Sequence, residues 1–430
     1  MAGRFHQQAE RSLQLRFLVF LGVLAGLGLP ATAAEKMTVA QVEQVLADQV
    51  LKTHTAKAQP KSPEEVAEIA DSDLLPMVDD SVLSRLSEVE LTERMSTLTL
   101  YRLVGQYKLG AHAQTVLQQM ADRSALLKLP ESEEIPHTAP DAEVQSALFN
   151  AARDYVFGKL SHLPDFVAMR TTTTFDSAPS GLNFLQADVG SAGYRRREIV
   201  QKRITFRDGK EVFESPSSTV SSKADESAFE SRGEFGTQAA VVLMDIEQGA
   251  VSFDHWENTM GGVAAVYRYS VARDRSHYEV NDRCEEHASF HDIPGYHGSI
   301  ALAPRSGAIL RMTLEVESDE SDPVSHVASV IEYGPVLIGH RRYLCPLRSL
   351  AFMVQEAKGC SRGSHRLQKP IAMVNQTIFS NYHRFGSSST MIFDEADSRD
   401  PVAGVSPEES ARRGDVPQAK PKTSTEHKEP

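Results

Sequence analysis

The stretch CEEHASFHDIPGYHG, Cys284 to Gly298, places a thiol, three carboxylates and three imidazoles close together in the chain. Thiolate, neutral imidazole and carboxylate are the donors that zinc and its neighbours prefer. His287, His291 and His297 are therefore candidate metal ligands, and a metal-dependent hydrolase is one reading of function. Against it, His287 and His291 share a side only on a helix, whereas Pro294 and Gly295 point to a connecting loop. HASFH also lacks the glutamate that serves as general base in HExxH. The composition predicts a polar loop here, no cofactor, and a metal site only as the alternative.

Three further stretches have the form of catalytic motifs. GCSRG, Gly359 to Gly363, matches G-x-S-x-G, which requires a strand, a sharp turn and a helix to expose its serine. The following SHRLQKP offers no apolar helical face, so a surface loop is predicted. In RTTTT, Arg170 to Thr174, four hydroxyls follow an arginine. A catalytic threonine needs a base beside it, and a guanidinium is a permanent cation. β-branched residues suit a pleated strand, so Thr171 to Thr174 are expected in a strand. In FDHWE, neighbours along a regular strand point to opposite faces, which sets Asp254 and His255 apart. Trp256, the one tryptophan, is expected to anchor a sheet edge or the mouth of a pocket, its ring buried and its N–H satisfied. YRRRE and HRRY, Tyr194 to Glu198 and His340 to Tyr343, are basic points suited to an anionic headgroup or an acidic partner.

The elements that must position these residues change period part-way along the chain. From Thr38 to Leu129 apolar residues recur at helical spacing, as in Val39, Val42, Leu46 and Val50. Helices are expected near 80–88, 92–107 and 110–127, with Thr92 as a cap, and another opens at Ser62 with Pro63 and Glu65. KLPESEEIPHTAPDA reads as a linker. A helix with Val144, Leu148, Ala152 and Val156 on one side then ends before Pro164. Beyond it alternation dominates, with a hairpin at Asp208-Gly209 and one interrupting helix, Thr237 to Gln248. In AILRMTLEVE, Leu310, Met312, Leu314 and Val316 fall on one face, and Arg311, Thr313, Glu315 and Glu317 on the other. One buried and one wet face indicate an antiparallel meander.

The ends and the composition bound the rest. Arg4, Arg11 and Arg16, an apolar run from Phe17 to Leu29, and ATAAE have the form of a secretory signal peptide. Its removal would take away three arginines and one glutamate, moving the formal charge from −13 to −15. Such a surface disfavours nucleic acid, and no later apolar run approaches membrane-spanning length. Cys284, Cys345 and Cys360 allow one disulfide in an oxidising compartment. Cys284–Cys345 is the candidate pair, with three reduced thiols as the alternative. The proline-rich, charged end beyond Asp394 lacks the apolar content to order itself.

MTVAQVEQVLAD, LSEVELTERMS, LPDFVAMRTTTTF, GEFG, FDHWE, PGYHG and IEYGPVLIGHRRYLCPLRS together resemble a family of exported bacterial proteins. That resemblance implies a location and a domain plan and carries no catalytic residues. The β region also resembles the lipoprotein carriers of the bacterial periplasm, which are open half-barrels with helices against the concave face. The expected plan is an α+β protein: signal peptide 1–34, helical region 35–129, linker 130–142, antiparallel β-rich domain 143–394 and disordered tail 395–430. The expected function is a periplasmic or extracellular, non-enzymatic binding or interaction protein. The carrier resemblance implies an apolar ligand such as a lipid between the sheet and the helix at 237–248, with Trp256, Leu243 and Arg341 as candidate contacts. An envelope protein partner, or a structural envelope role without ligand, is the other alternative.

Overall fold

Where the period of the sequence changes, the architecture changes with it. The computed structural model describes residues 35–57, 80–160, 163–176, 195–213, 232–282, 290–319, 322–355 and 371–384. All belong to one unit that ends at Gly386. The expected signal peptide, the helix at Ser62, GCSRG, His287, Cys284, Cys360 and the C-terminal tail lie outside the described residues.

The first part is a helical layer: α1 (Val39–Lys57), α2 (Asp80–Glu88), α3 (Thr97–Gln106) and α4 (Ala111–Arg123). Val42, Leu46, Leu83, Leu86, Leu103 and Leu117 form its apolar centre. The helix expected at 92–107 starts later, because the backbone before it is already committed. Strands β1 (Lys36–Met37) and β2 (Glu90–Leu91) pair in parallel, and the Thr92 amide donates to the Met37 carbonyl at 3.0 Å. The cap is instead Ser96, whose Oγ accepts from the Thr99 amide at 3.1 Å.

The second part is an antiparallel sheet of ten strands, built from β3 (Phe166–Asp176), β4 (Arg195–Arg207), β5 (Lys210–Phe213), β6 (Ala250–Thr259), β7 (Gly262–Val271), β10 (Tyr296–Leu302), β11 (Ile309–Val316), β12 (Val324–Ile338), β13 (Arg341–Gln355) and β14 (Ile371–Arg384). Their order is β5-β4-β3-β14-β13-β12-β11-β10-β7-β6, and the sheet does not close into a barrel. A separate ribbon pairs β8 (Val280–Asp282) with β9 (Phe290–Asp292). Asp208 and Gly209 turn the β4–β5 hairpin with φ of 50° and 74°, the left-handed pair that a two-residue turn of this kind needs. The threonine run lies in β3 as its composition predicts. Thr172 and Thr174 bridge to Thr377 and Asn375 across the β14 pairing.

One face of the sheet carries α5 (Ala142–Arg153), its π-helical continuation Asp154–Leu160, and α6 (Thr237–Asp245). Leu148, Ala152, Val156, Ala239, Val242 and Leu243 pack there against Phe166, Phe206, Tyr267, Tyr296 and Tyr333. Val144, assigned to the same side by spacing, is 52% exposed. Helix α6 ends at Asp245, short of the expected Gln248, because two tight turns bring the chain directly into β6. Gly298 is required on this face: a Cβ would sit 2.1 Å from the Thr313 carbonyl oxygen, which accepts from the Tyr269 hydroxyl.

The opposite face is where the alternation of AILRMTLEVE misleads. Arg311 and Thr313, expected in water, are only 8% and 5% exposed. The helical layer meets Arg311 at the Ala125 carbonyl, and Thr313 bonds Ser299 of β10. Leu310 lines the interface beside Arg311 instead of joining Met312, since the register slips where β10 meets β11.

Candidate functional site: a charged interface between helices and sheet

Strand register sets the plan of the covered face. His255 pairs with Val266, Val266 with Ala301, Ala301 with Arg311, Arg311 with Glu332, and Glu332 with Arg348. Directly opposed residues in neighbouring strands share a face, so the row carries alternating charges across β11, β12 and β13. Glu332 lies between the two guanidinium groups, 3.8 Å from Arg311 Nε and 3.9 Å from Arg348 Nη1.

The helical layer supplies the complement. Arg94 pairs with Glu257 of β6, and the two side chains are only 8% and 2% exposed. Asp122 of α4 pairs with Arg348 and also accepts from Gln376 Nε2 at 3.0 Å and Gln118 Nε2 at 2.7 Å. Thr97 donates its hydroxyl to Glu332 at 2.7 Å, and Arg311 Nη2 donates to the Ala125 carbonyl at 2.5 Å. Three arginines thus face Glu257, Glu332 and Asp122 across a buried boundary. An ion pair repays its desolvation only when its remaining donors and acceptors are also engaged.

The electrostatics follow from burial and neighbours. Burial alone would raise the Glu257 carboxyl. The charge of Arg94, the hydrogen bond from His255 and the charge of Arg311 outweigh it and bring the pKa down to about 2. Burial also lowers Arg311 and Arg348, each to about 10. A cleft of about 30 Å³ opens beside these groups, lined by Arg94, Thr97, Glu257, Arg311, Glu332 and Arg348 among others. That is room for one or two water molecules, not for an acyl chain.

His255 belongs to this network, contrary to the expectation that it and Asp254 point apart. The register slips between Phe253 and His255, and this bulge turns both side chains to one side. Nδ1 of His255 lies 3.0 Å from Asp254 Oδ2, and Nε2 lies 3.2 Å from Glu257 Oε2.

Comparison with protein-family models, curated proteins and solved structures finds no match to this chain. The site therefore stands on its own geometry.

The other candidates are not brought together. Trp256 sits on edge strand β6 and fixes the segment after the helical layer: its Nε1 donates to the Thr138 carbonyl at 3.0 Å, and its carbonyl accepts from the Ile135 amide. Its ring packs against His137 and Phe253. Leu243 is buried in the aromatic core, and Arg341 is exposed at the β12–β13 hairpin. His291 Nδ1 is 2.7 Å from Asn281 Oδ1 in the β8–β9 ribbon, while His297 lies on β10 with Glu317 at 3.8 Å. Among the described residues no group of His, Cys, Asp or Glu is arranged to hold a metal ion. Of the expected Cys284–Cys345 pair, Cys284 lies outside the described residues; Cys345 is a buried thiol on the aromatic side, and burial pushes its pKa up to about 12. Among the described residues, no helix is long and apolar enough to cross a membrane.

Sequence reasoning missed Arg94, Asp122, Glu332 and Arg348. A signal for the last two was present, as each strand sets one charge among large apolar neighbours: Leu310-Arg311-Met312, Ile331-Glu332-Tyr333 and Leu347-Arg348. A single charge in an otherwise core-like strand implies a buried partner.

Proposed function

We propose that this is an exported, non-enzymatic interaction protein, with a helical layer locked onto a sheet that offers its edges and exposed basic points to a partner. The observation that carries this reading is the filled interior between the sheet and α6. Phe166, Phe206, Phe235, Tyr267, Tyr296 and Tyr333 are all buried there and packed on one another or on the helices. Among the described residues these rings occupy the space a lipid chain would need, which favours a partner-binding role over a carrier role. Arg196, Arg197, Lys202, Arg203, Arg207 and Lys210 are exposed along the β4–β5 hairpin of a chain with net charge −13. Cations gathered on an acidic protein suit an anionic partner surface. Export rests on the N-terminal sequence.

Native mass spectrometry of protein purified from a periplasmic extract, repeated after organic extraction, tests this reading. A bare polypeptide mass is the expected result. An apolar species at near one per chain, lost on extraction, would overturn it in favour of the carrier.

A further inference from the structure

A neutral imidazole has one N–H donor and one acceptor nitrogen, whereas the cation donates from both. Each ring nitrogen of His255 faces a carboxylate oxygen, of Asp254 on one side and Glu257 on the other. Ionised carboxylates only accept, so a neutral ring would set one lone pair against another. We infer that His255 is held as an imidazolium and is a pH-sensitive latch: protonated, it ties Asp254 to the Glu257–Arg94 pair and helps hold the helical layer on the sheet, and on losing its proton it releases one of the two carboxylates.

The surroundings place the proton on the ring. From β7, Arg268 Nε lies 3.0 Å from Asp254 Oδ2. From the helical layer Arg94 pairs with Glu257, and from β11 the charge of Arg311 also acts on it. The charges of Arg94 and Arg311 hold the Glu257 carboxyl in its ionised form. His137, in the segment that crosses β6, packs against Trp256 with ring centroids 5.2 Å apart and planes inclined by 56°. Burial draws the His255 pKa down, but the hydrogen bond and charge of Glu257, then those of Asp254, outweigh it and raise it. A raised imidazole stabilises fully below its ordinary value near 6.5, and that stabilisation is lost as pH rises through the raised value. The latch is therefore closed below the ordinary imidazole value and opens as pH rises through the raised one, whichever partner the protein meets.

The test uses the full chain. The C2 proton of His255, assigned by its disappearance in His255→Gln, should titrate above 6.5. Between pH 6 and 9, hydrogen-exchange protection at Arg94–Thr97 and Trp256–Asn258 should fall by about tenfold for each unit by which the pKa is raised. In His255→Gln that fall should be absent. Should His255→Gln not fold, Asp254→Asn serves, since it must lower the His255 midpoint while leaving the Arg94–Glu257 pair in place. A midpoint at or below 6.5, the same protection profile in His255→Gln and the parent, or a midpoint unmoved by Asp254→Asn would each overturn the latch.

Discussion

On one face of the sheet Phe166 stacks on Phe206, with ring centroids 5.1 Å apart and planes inclined by 11°. On the other, Arg94, Arg311 and Arg348 meet Glu257, Glu332 and Asp122. The same strands hold helices on both sides, by burial of apolar surface on the first and, on the second, by buried charges beside a smaller apolar cluster that includes Ala125, Phe175, Val330, Leu350 and Phe352. Apolar contacts are non-directional, so a residue of similar volume keeps most of their value. Buried charges have no such latitude, because removing one leaves its partner desolvated and unpaired.

That contrast can be broken by conservative substitutions read in the full chain by urea denaturation. The largest effect is expected from Glu257→Gln, which keeps shape and removes charge. It should cost about 3–5 kcal/mol, because Arg94 is left buried without its counter-charge. Next comes Glu211 of β5, where an acid sits on the aromatic side. Burial first, then the charge of Glu234, push its carboxyl up to about 7. Its proton is held more tightly in the folded state, so stability is highest below the ordinary carboxylate value and falls as pH climbs from about 4.5 to about 7. Glu211→Gln, which can still accept from the Phe235 amide, should be nearly neutral at pH 4. At pH 8 it should stabilise by up to about 3 kcal/mol. The smallest effect is expected from Phe166→Leu, a loss of about 1 kcal/mol as neighbouring rings close in. A Phe166→Leu cost equal to that of Glu257→Gln would erase the distinction between the faces.

The two faces were also unequally legible in the sequence. Met312, Leu314 and Val316 declare the apolar face by alternation alone, and Asp208-Gly209 declares its hairpin. The helix Thr237–Asp245 is visible in TQAAVVLMD because its apolar residues are continuous. On the charged face, Arg311, Thr313 and Glu315 look solvated when taken strand by strand. The groups that meet Arg311 and Arg348 there, Ala125 and Asp122, are far away in the chain, and nothing local announces that approach. Asp254 and His255 depart from alternation for a different reason. A bulge shifts one residue of register, and no glycine or proline in FDHWE marks it. Alternation reports which side of a strand a residue takes, but not what lies on that side.

The most direct measurement is a double-mutant cycle on Arg94→Met and Glu257→Met, with unfolding followed by urea denaturation of the full chain. If the helical layer is held to the sheet by paired buried charges, each single substitution strands a charge, and the double costs at least about 2 kcal/mol less than the sum of the singles. Additivity within about 0.5 kcal/mol would show that the two groups do not depend on each other, and would contradict the account of how this face is held.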